Sequence, residues 1–105
     1  MRKRTATEED IAPPVVPKAP WRVSIVRALP GFRLAVQFVD GSKGEVDLSR
    51  RLASHRAGVF SKLRDPAVFA QVHLEYGAVT WPGEIDLAPD AMYDEIRAHG
   101  RWVLE

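Results

Sequence analysis

Carboxylates form the densest group of side chains in this sequence that could take part in chemistry. Mg²⁺ and Ca²⁺ require several oxygen ligands of this kind. The spacing of the group matches no calcium-binding loop, however, and Asp90 lies near the N-terminus of a predicted helix, where negative charge has a structural role. We therefore expect no metal site here; an enzyme that uses Asp86 and Asp90 is the third functional hypothesis. The members of the group are Glu84, Asp86, Asp90, Asp94 and Glu95.

The other candidates for catalysis lack the spacing that catalysis requires. The three histidines lie far apart, and none has the i, i+4 partner of a zinc-binding helix. The sequence contains no Gly-x-Ser-x-Gly or Ser-x-x-Lys motif, no glycine-rich phosphate-binding loop and no cysteine. We therefore expect no catalytic residue, no metal and no cofactor, and hence no enzyme.

Positive charge is concentrated in one run between residues 48 and 64, which contains no acidic residue. The run contains five cationic side chains. If each contacted a phosphate, the slope of log affinity against log salt concentration would be about −4.5. The run is typical of a solvated helix face, a nucleic-acid contact or a surface for an acidic protein partner. The residues predicted to bind nucleic acid or a partner are Arg50, Arg51, Arg56, Lys62 and Arg64.

Length and composition favour one small globular domain. The chain has 105 residues, of which 46% are hydrophobic and 28% charged, with a net charge of +1. No apolar stretch approaches the roughly 20 residues that span a membrane. The basic N-terminus is followed by no apolar signal region. These features exclude a membrane-spanning protein, and we expect a cytoplasmic location.

Residues 1–20 predict a disordered, proline-rich N-terminal tail. They hold four of the eight prolines and no aromatic residue, a composition that favours an extended, solvated chain. A proline-rich ligand for a groove on another protein is the alternative interpretation. We expect the remainder, residues 21–105, to be a single α+β domain.

Alternating apolar residues predict an N-terminal β-meander of three strands and two later strands. Pro30-Gly31 and Asp40-Gly41 are turn signals between the first three. The predicted strands span Trp21–Leu29, Phe32–Val39, Lys43–Leu48, Gln71–Tyr76 and Ala78–Trp81.

Capping residues predict the helices. Ser49 is expected to cap a short helix over 50–54, and Asp65-Pro66 to begin a second. A last helix is predicted over Pro89–His99, ended by Gly100. The fold class is therefore α+β: a mostly antiparallel sheet of about five strands covered on one face by two to three short helices.

The last apolar segment, Trp102, Val103 and Leu104, has two interpretations. It packs back onto the sheet, or it binds a partner by adding a strand to another molecule's edge.

The second face of the sheet is likewise open to two interpretations. Val26, Ala35 and Val39 on nominally polar faces favour a homodimer over a face in contact with water.

Several ordered segments resemble a small prokaryotic family, domain of unknown function 2442. The closing segment is Trp81-Pro82-Gly83-Glu84-Ile85-Asp86-Leu87-Ala88-Pro89-Asp90-Ala91-Met92-Tyr93. The earlier segments are Leu29–Leu34, Phe38–Gly41, Gly44–Leu48 and Phe60–Pro66. The residues that carry the family signature are Trp81, Pro82, Asp86, Leu87, Pro89 and Asp90.

The resemblance implies an α+β domain without an assigned activity. Some family members are joined to a helix-turn-helix domain, and many are suspected antitoxin-like partners of small toxins. We expect no helix-turn-helix after Tyr93, because the sequence continues for only 12 residues. We therefore expect a non-catalytic interaction module, antitoxin-like and bound to a small protein partner such as a toxin. A nucleic-acid-binding accessory protein that uses the basic run over 50–64 is the alternative.

Overall fold

The structure, a computed structural model, describes residues 19–105. The predicted tail, residues 1–20, lies outside the described residues except at its last two positions. The elements are β1 (Val23–Leu29), β2 (Arg33–Phe38), β3 (Lys43–Asp47), α1 (Ser49–Ala53), a 3-10 helix (Gly58–Arg64), α2 (Pro66–Phe69), β4 (His73–Glu75), β5 (Ala78–Trp81), β6 (Ile85–Asp86), α3 (Pro89–His99) and β7 (Arg101–Val103). The α+β class is confirmed, with seven strands in the described part where about five were predicted.

These strands divide into two sheets. The larger sheet has the order β1-β2-β3-β7, in which β7 runs parallel to β3 and the other neighbours are antiparallel. The smaller sheet, β4-β5-β6, is antiparallel. The predicted meander is confirmed: the Gly41 N–H donates to the Phe38 carbonyl at 2.9 Å and closes the turn between β2 and β3.

The core lies on one face of the larger sheet. Leu34, Val36 and Phe38 alternate along β2 and are all buried, as a strand with a period of two requires. Met92 of α3 and Trp81 of β5 belong to the same buried cluster. The helix and the smaller sheet therefore cover a single inner face.

A bulge in β1 explains one unexpected apolar residue. The pairing register shifts between Val23 and Ile25, so Val26 lies opposite Val36 on the inner face. Val26 is accordingly half-buried and packs against the core. Ile25 faces outward and is 50% exposed. Val26 therefore no longer supports a homodimer formed through the outer face. The homodimer itself stays a prediction.

The close approach of α3 to the sheet depends on a residue without a side chain. A Cβ atom at Gly44 of β3 would lie 2.6 Å from the Gly100 carbonyl oxygen and 2.7 Å from Cγ2 of Ile96. Cβ atoms essentially never lie this close to a non-bonded atom, so a larger residue would displace the helix. Gly44 thereby lets α3 end directly beside β3, where β7 begins.

The prediction that Ser49 caps α1 is wrong. Ser49 is the first residue of the helix, and the N-cap residue, Leu48, makes no side-chain hydrogen bond to it. Asp47 holds the corner instead, because its Oδ1 accepts from both the N–H and the hydroxyl of Ser49, at 2.8 and 2.6 Å. One carboxylate oxygen can accept both hydrogen bonds. The Ser49 hydroxyl is directed at Asp47 and therefore does not cap the helix.

Several strand ends also differ from the prediction by one or two residues, and β6 was not predicted. The strand predicted through Tyr76 ends at Glu75, because Tyr76 and Gly77 both adopt positive φ, 53° and 80°, and form a tight turn. The two-residue strand β6 is too short for an alternating pattern to reveal it. By contrast, Asp65 accepts from the Ala67 N–H at 2.9 Å and caps α2 as predicted.

The helices of the described region, residues 19–105, do not include one with the length and apolar character needed to cross a bilayer.

Candidate functional site

One edge of the larger sheet is formed by β7, which pairs with β3 through Glu45 opposite Arg101 and Asp47 opposite Val103. The Glu45 N–H donates to the Gly100 carbonyl at 3.4 Å, and the Leu104 N–H donates to the Asp47 carbonyl at 3.0 Å. Backbone groups of successive strand residues point to opposite sides. The N–H and C=O groups of Arg101 and Val103 therefore point away from β3.

No other strand in residues 19–105 pairs with this outer side of β7. The sheet thus ends on two N–H donors and two carbonyl acceptors that have no hydrogen-bond partner among residues 19–105. Such an edge is a template for a strand from another chain. We call the strand Arg101–Val103, with its outward backbone groups, the C-terminal edge.

Local structure explains why the chain forms this edge. Gly100 ends α3 in the left-handed conformation, with φ of 78°, and its N–H donates to the Ile96 carbonyl at 2.7 Å. This helix ending turns the chain beside β3. Leu104 is then buried and Trp102 packs partly against the core. The structure thus places the predicted segment Trp102–Leu104 in the chain's own sheet, where β7 is an edge strand.

Two arginines of the basic run, on α1, contact Glu105, two residues beyond the C-terminal edge. Arg50 Nη1 lies 3.3 Å from Oε2 of Glu105, and Arg51 Nε donates to the Glu105 main-chain oxygen at 2.6 Å. The Arg51 guanidinium also lies over the Phe60 ring, 5.8 Å from its centre. The structure therefore brings together two groups that the sequence suggested separately, the basic run and the C-terminal segment.

The remaining members of the basic run lie elsewhere. Arg64 donates to the carbonyls of Leu52 and Ser54 at 2.6 and 2.8 Å, so it completes the C-terminal end of α1. Arg56 and Lys62 are exposed, and neither forms an ion pair with another residue between 19 and 105. The five cations consequently do not share one role.

An acidic residue that sequence analysis did not select links the C-terminal edge to α1. Asp47 Oδ2 lies 3.3 Å from Nη2 of Arg101, while Oδ1 accepts the two bonds from Ser49. Burial acts to raise the pKa of Asp47, but the Ser49 hydrogen bonds and the positive charges of Arg101 and Arg33 outweigh it and hold the pKa below its ordinary value. The sequence pattern that could have identified Asp47 is an aspartate two residues before a serine at the start of a helix.

The family signature residues have structural roles. The buried Trp81 indole N–H donates to the Phe69 carbonyl at 2.9 Å, and the N–H of the buried Leu87 donates to the Val79 carbonyl at 3.0 Å. Pro82 lies in the turn after β5, Asp86 ends β6 and Pro89 begins α3.

The acidic group around these residues forms no cation site in the described part of the chain. Asp90 lies in the first turn of α3, as predicted, and its Oδ1 accepts from the Ala91 N–H at 2.9 Å. No set of three or more His, Asp or Glu side chains within residues 19–105 is arranged to hold a metal ion. Asp86, at the end of β6, is exposed.

Fold and site together define a small α+β domain: a helix-backed sheet that ends, within residues 19–105, on a short strand with no further neighbour and with arginines beside it. The model of the family described as "Protein of unknown function (DUF2442)" matches residues 23–98, and the chain belongs to this family. No curated protein and no solved structure gives a match to the sequence. Arg50 and Arg51 lie within the matched region, whereas β7 follows it.

Proposed function

We propose that the protein is a non-catalytic interaction module that binds a small protein partner through the C-terminal edge. The observation that carries this proposal is the outward direction of the backbone groups of Arg101 and Val103. A partner strand that pairs with them would extend the sheet from four strands to five. The main-chain bonds supply affinity, and the flanking side chains select the partner.

The charges around this edge favour an acidic segment on the partner. The side chains of Arg50 and Arg101 are 68% and 52% exposed although each contacts a carboxylate. Exposed ion pairs of this kind contribute little to stability, so their guanidinium groups can also attract an incoming carboxylate. Electrostatic complementarity of this kind mainly increases the association rate and the specificity.

An antitoxin-like role is the finer form of the proposal. In this role the module would hold a small toxin through the C-terminal edge and keep it inactive in the cytoplasm. The family resemblance supports it, and so does the small size of a domain whose buried residues all serve the fold. The toxin's own chemistry is not needed for the argument, because a strand of any toxin could pair with the edge.

Capture from a cell lysate tests the proposal when one outward N–H group is removed. Val103→Pro eliminates the Val103 N–H but leaves the Leu104 bond to β3, and proline is tolerated on edge strands. Val103→Thr retains both the N–H and the branched shape and is the matched control. We expect the proline variant to bind about 10-fold more weakly, the equivalent of about 1.4 kcal/mol.

Each variant is used to capture proteins from the lysate, with and without nuclease treatment. The melting temperature of each variant shows that it is folded. A single protein retained by the wild type and by Val103→Thr, but lost from Val103→Pro, supports the proposal. Equal retention of the partner protein by Val103→Thr and Val103→Pro contradicts the proposal. So does a protein that binds no partner and turns over a substrate.

Nucleic-acid binding through the basic run is the second candidate function. The exposure of Arg56 and Lys62 without ion pairs in the described structure favours it. Because Arg64 is occupied by α1, only four cations remain, and the expected slope of log affinity against log salt falls to about −3.6. Material lost on nuclease treatment, together with a slope that falls to about −0.9 when Arg50→Ala, Arg51→Ala and Arg56→Ala are combined, would favour this function over the first.

A further inference from the structure

The outer face of the larger sheet carries exposed apolar side chains at one end. Ile25 lies opposite Gln37, and Gln37 lies opposite Lys43, so one row of side chains crosses the face from β1 to β3. Val39 comes two residues after Gln37 and lies on the same side; its N–H donates to the Arg22 carbonyl at 2.9 Å. Ile25 and Val39 are 50% and 43% exposed, so no segment between residues 19 and 105 covers this end.

A strained and exposed tyrosine adjoins the same end of the face. Tyr76 and Gly77 form the turn between β4 and β5, and a Cβ atom at Gly77 would lie 2.9 Å from the Cβ of Arg22. The turn therefore packs directly against Arg22. Tyr76 has φ of 53°, which bulky residues rarely adopt, and is 91% exposed. Turns of this type favour Asn, Asp and Gly, so an aromatic ring here benefits neither the turn nor the core.

Positive charge exceeds negative charge on this face. Both acidic side chains on it are already paired, Glu45 with Arg33 at 2.6 Å and Asp47 with Arg101 at 3.3 Å. Three further cations lie on the face or at its end, and none forms an ion pair with any residue in the described part of the chain. They are Arg22, Arg27 and Lys43. The surface is therefore complementary in charge to an anionic ligand.

Exposed aromatic rings beside unpaired cations are the combination that binds single strands of nucleic acid. The cations contact successive phosphates, and the rings stack on bases that have no partner strand. A four-stranded sheet with exposed aromatic rings can present its open face to several nucleotides at once. A duplex keeps its bases stacked on one another, so Tyr76 would gain little from it.

We propose that this end of the outer face is a binding site for single-stranded nucleic acid. We call it the outer patch, and its residues are Arg22, Ile25, Arg27, Val39, Lys43 and Tyr76. Tyr76 stacks on a base, the three cations contact phosphates, and the two aliphatic side chains contact sugars and bases. The outer patch lies at the start of β3, whereas the basic run follows the end of β3. Binding at the outer patch can therefore fail or hold independently of both functions proposed above.

Binding of an oligonucleotide to the full chain tests the role of Tyr76. The probe is a fluorescein-labelled oligothymidylate of about 12 nucleotides, followed by fluorescence anisotropy. We expect Tyr76→Asn to weaken binding about 10-fold through lost stacking, without a lower melting temperature, because Asn is favoured in this turn. Tyr76→Phe retains the ring and should bind like the wild type. An oligouridylate of the same length is measured in parallel, and the tighter binding of the two assigns the ligand to DNA or RNA.

The salt dependence of the same binding tests the cations. Arg27→Gln combined with Lys43→Gln should make the slope of log affinity against log salt concentration shallower by about 1.4. Arg56→Gln combined with Lys62→Gln removes the same charge from the basic run and should leave the slope unchanged. The reverse result would move the site to the basic run and overturn the proposal. Failure of the wild type to bind either oligonucleotide, or equal binding by Tyr76→Asn, would also overturn it.

Further samples test for other occupants of the outer patch. A protein that the wild type captures after nuclease treatment, and that Tyr76→Asn loses, would assign the patch to a protein partner and overturn the proposal. A dimer detected by light scattering, which Ile25→Asp converts into monomers, would assign it to a second copy and overturn it equally. Val103→Pro, at the C-terminal edge, should leave oligonucleotide binding unchanged; a loss there would show that the oligonucleotide binds at that edge instead.

Discussion

The two edges of the larger sheet differ in length, pairing and surroundings. β1 is seven residues long, contains a bulge and contacts the turn between β4 and β5, where the Val23 N–H donates to the Gly77 carbonyl at 2.8 Å. β7 has three residues, runs parallel to its neighbour and leaves its outer side unpaired in the described structure. Neither edge pairs with a further strand in residues 19–105, but β1 contains a bulge and a backbone hydrogen bond to another segment, at Val23, which the outer side of β7 lacks.

This difference indicates how the fold separates protection from recognition. A long, flat edge is an aggregation hazard, and a bulge with covering chain segments removes it. A three-residue edge is too short to be a hazard on its own, so it can remain open for one partner. Under the proposed function, Arg50 and Arg101 near β7 select an acidic partner.

The largest effect is expected from Gly44→Ala, which should damage the β7 side alone. The new Cβ would meet the Gly100 carbonyl and Ile96 at impossible distances, so α3 and β7 must move. We expect a loss of about 3 kcal/mol in the free energy of unfolding, measured by urea denaturation. Gly41→Ala is the control, because a Cβ atom at this position meets no atom within 4 Å and only the positive φ of 91° is unfavourable. This variant should lose about 1 kcal/mol in the free energy of unfolding. Equal losses would show that Gly44 does not position β7.

Trp81→Phe should weaken the opposite side, where α2 and the smaller sheet meet. Trp81 is fully buried, and its indole N–H satisfies the Phe69 carbonyl. Loss of this bond and of ring volume should cost about 2 kcal/mol, read from thermal denaturation. Partner capture through β7 should be unchanged. Trp21→Phe, at a tryptophan that is 39% exposed, should stay within about 0.5 kcal/mol of wild type. A loss of partner binding in Trp81→Phe would mean that the two edges are coupled.

A smaller, pH-dependent effect is expected for Asp47→Asn, which removes the charge that pairs with Arg101. Because the pKa of Asp47 is lowered by folding from an ordinary value of 3.8, its contribution to stability is present above that pH and is lost as the pH falls through the lower folded-state pKa. The variant should be less stable than wild type by about 1 kcal/mol near neutral pH. Denaturation curves should converge below pH 3.8. A difference that persists in acid would assign the loss to packing rather than charge.

Local patterns in the sequence were sufficient for much of the fold. The alternation of Leu34, Val36 and Phe38, the Asp40-Gly41 turn and the Pro89–His99 helix ended by Gly100 all occur as predicted. Each depends on residues close together in the chain, where steric preferences and periodicity act directly. The family was also identified from ordered local segments.

Features that depend on distant residues could not be predicted. The apolar pattern of Trp102–Leu104 is the same whether the strand joins its own sheet or a partner's. The contacts of Arg50 and Arg51 with Glu105 join positions more than 50 residues apart. Asp47 displaced Ser49 at the start of α1 because two local hydrogen-bonding arrangements competed, and residue preferences alone do not decide between them.

Hydrogen exchange at four consecutive amides tests the central claim most directly. In the free protein, we expect the amides of Trp102 and Leu104 to be protected by β3, and those of Arg101 and Val103 to exchange rapidly. In the complex with the captured partner, all four should be protected, because the partner strand satisfies the outward N–H groups. Rapid exchange of Arg101 and Val103 in a saturated complex would contradict the claim that the C-terminal edge is the binding site.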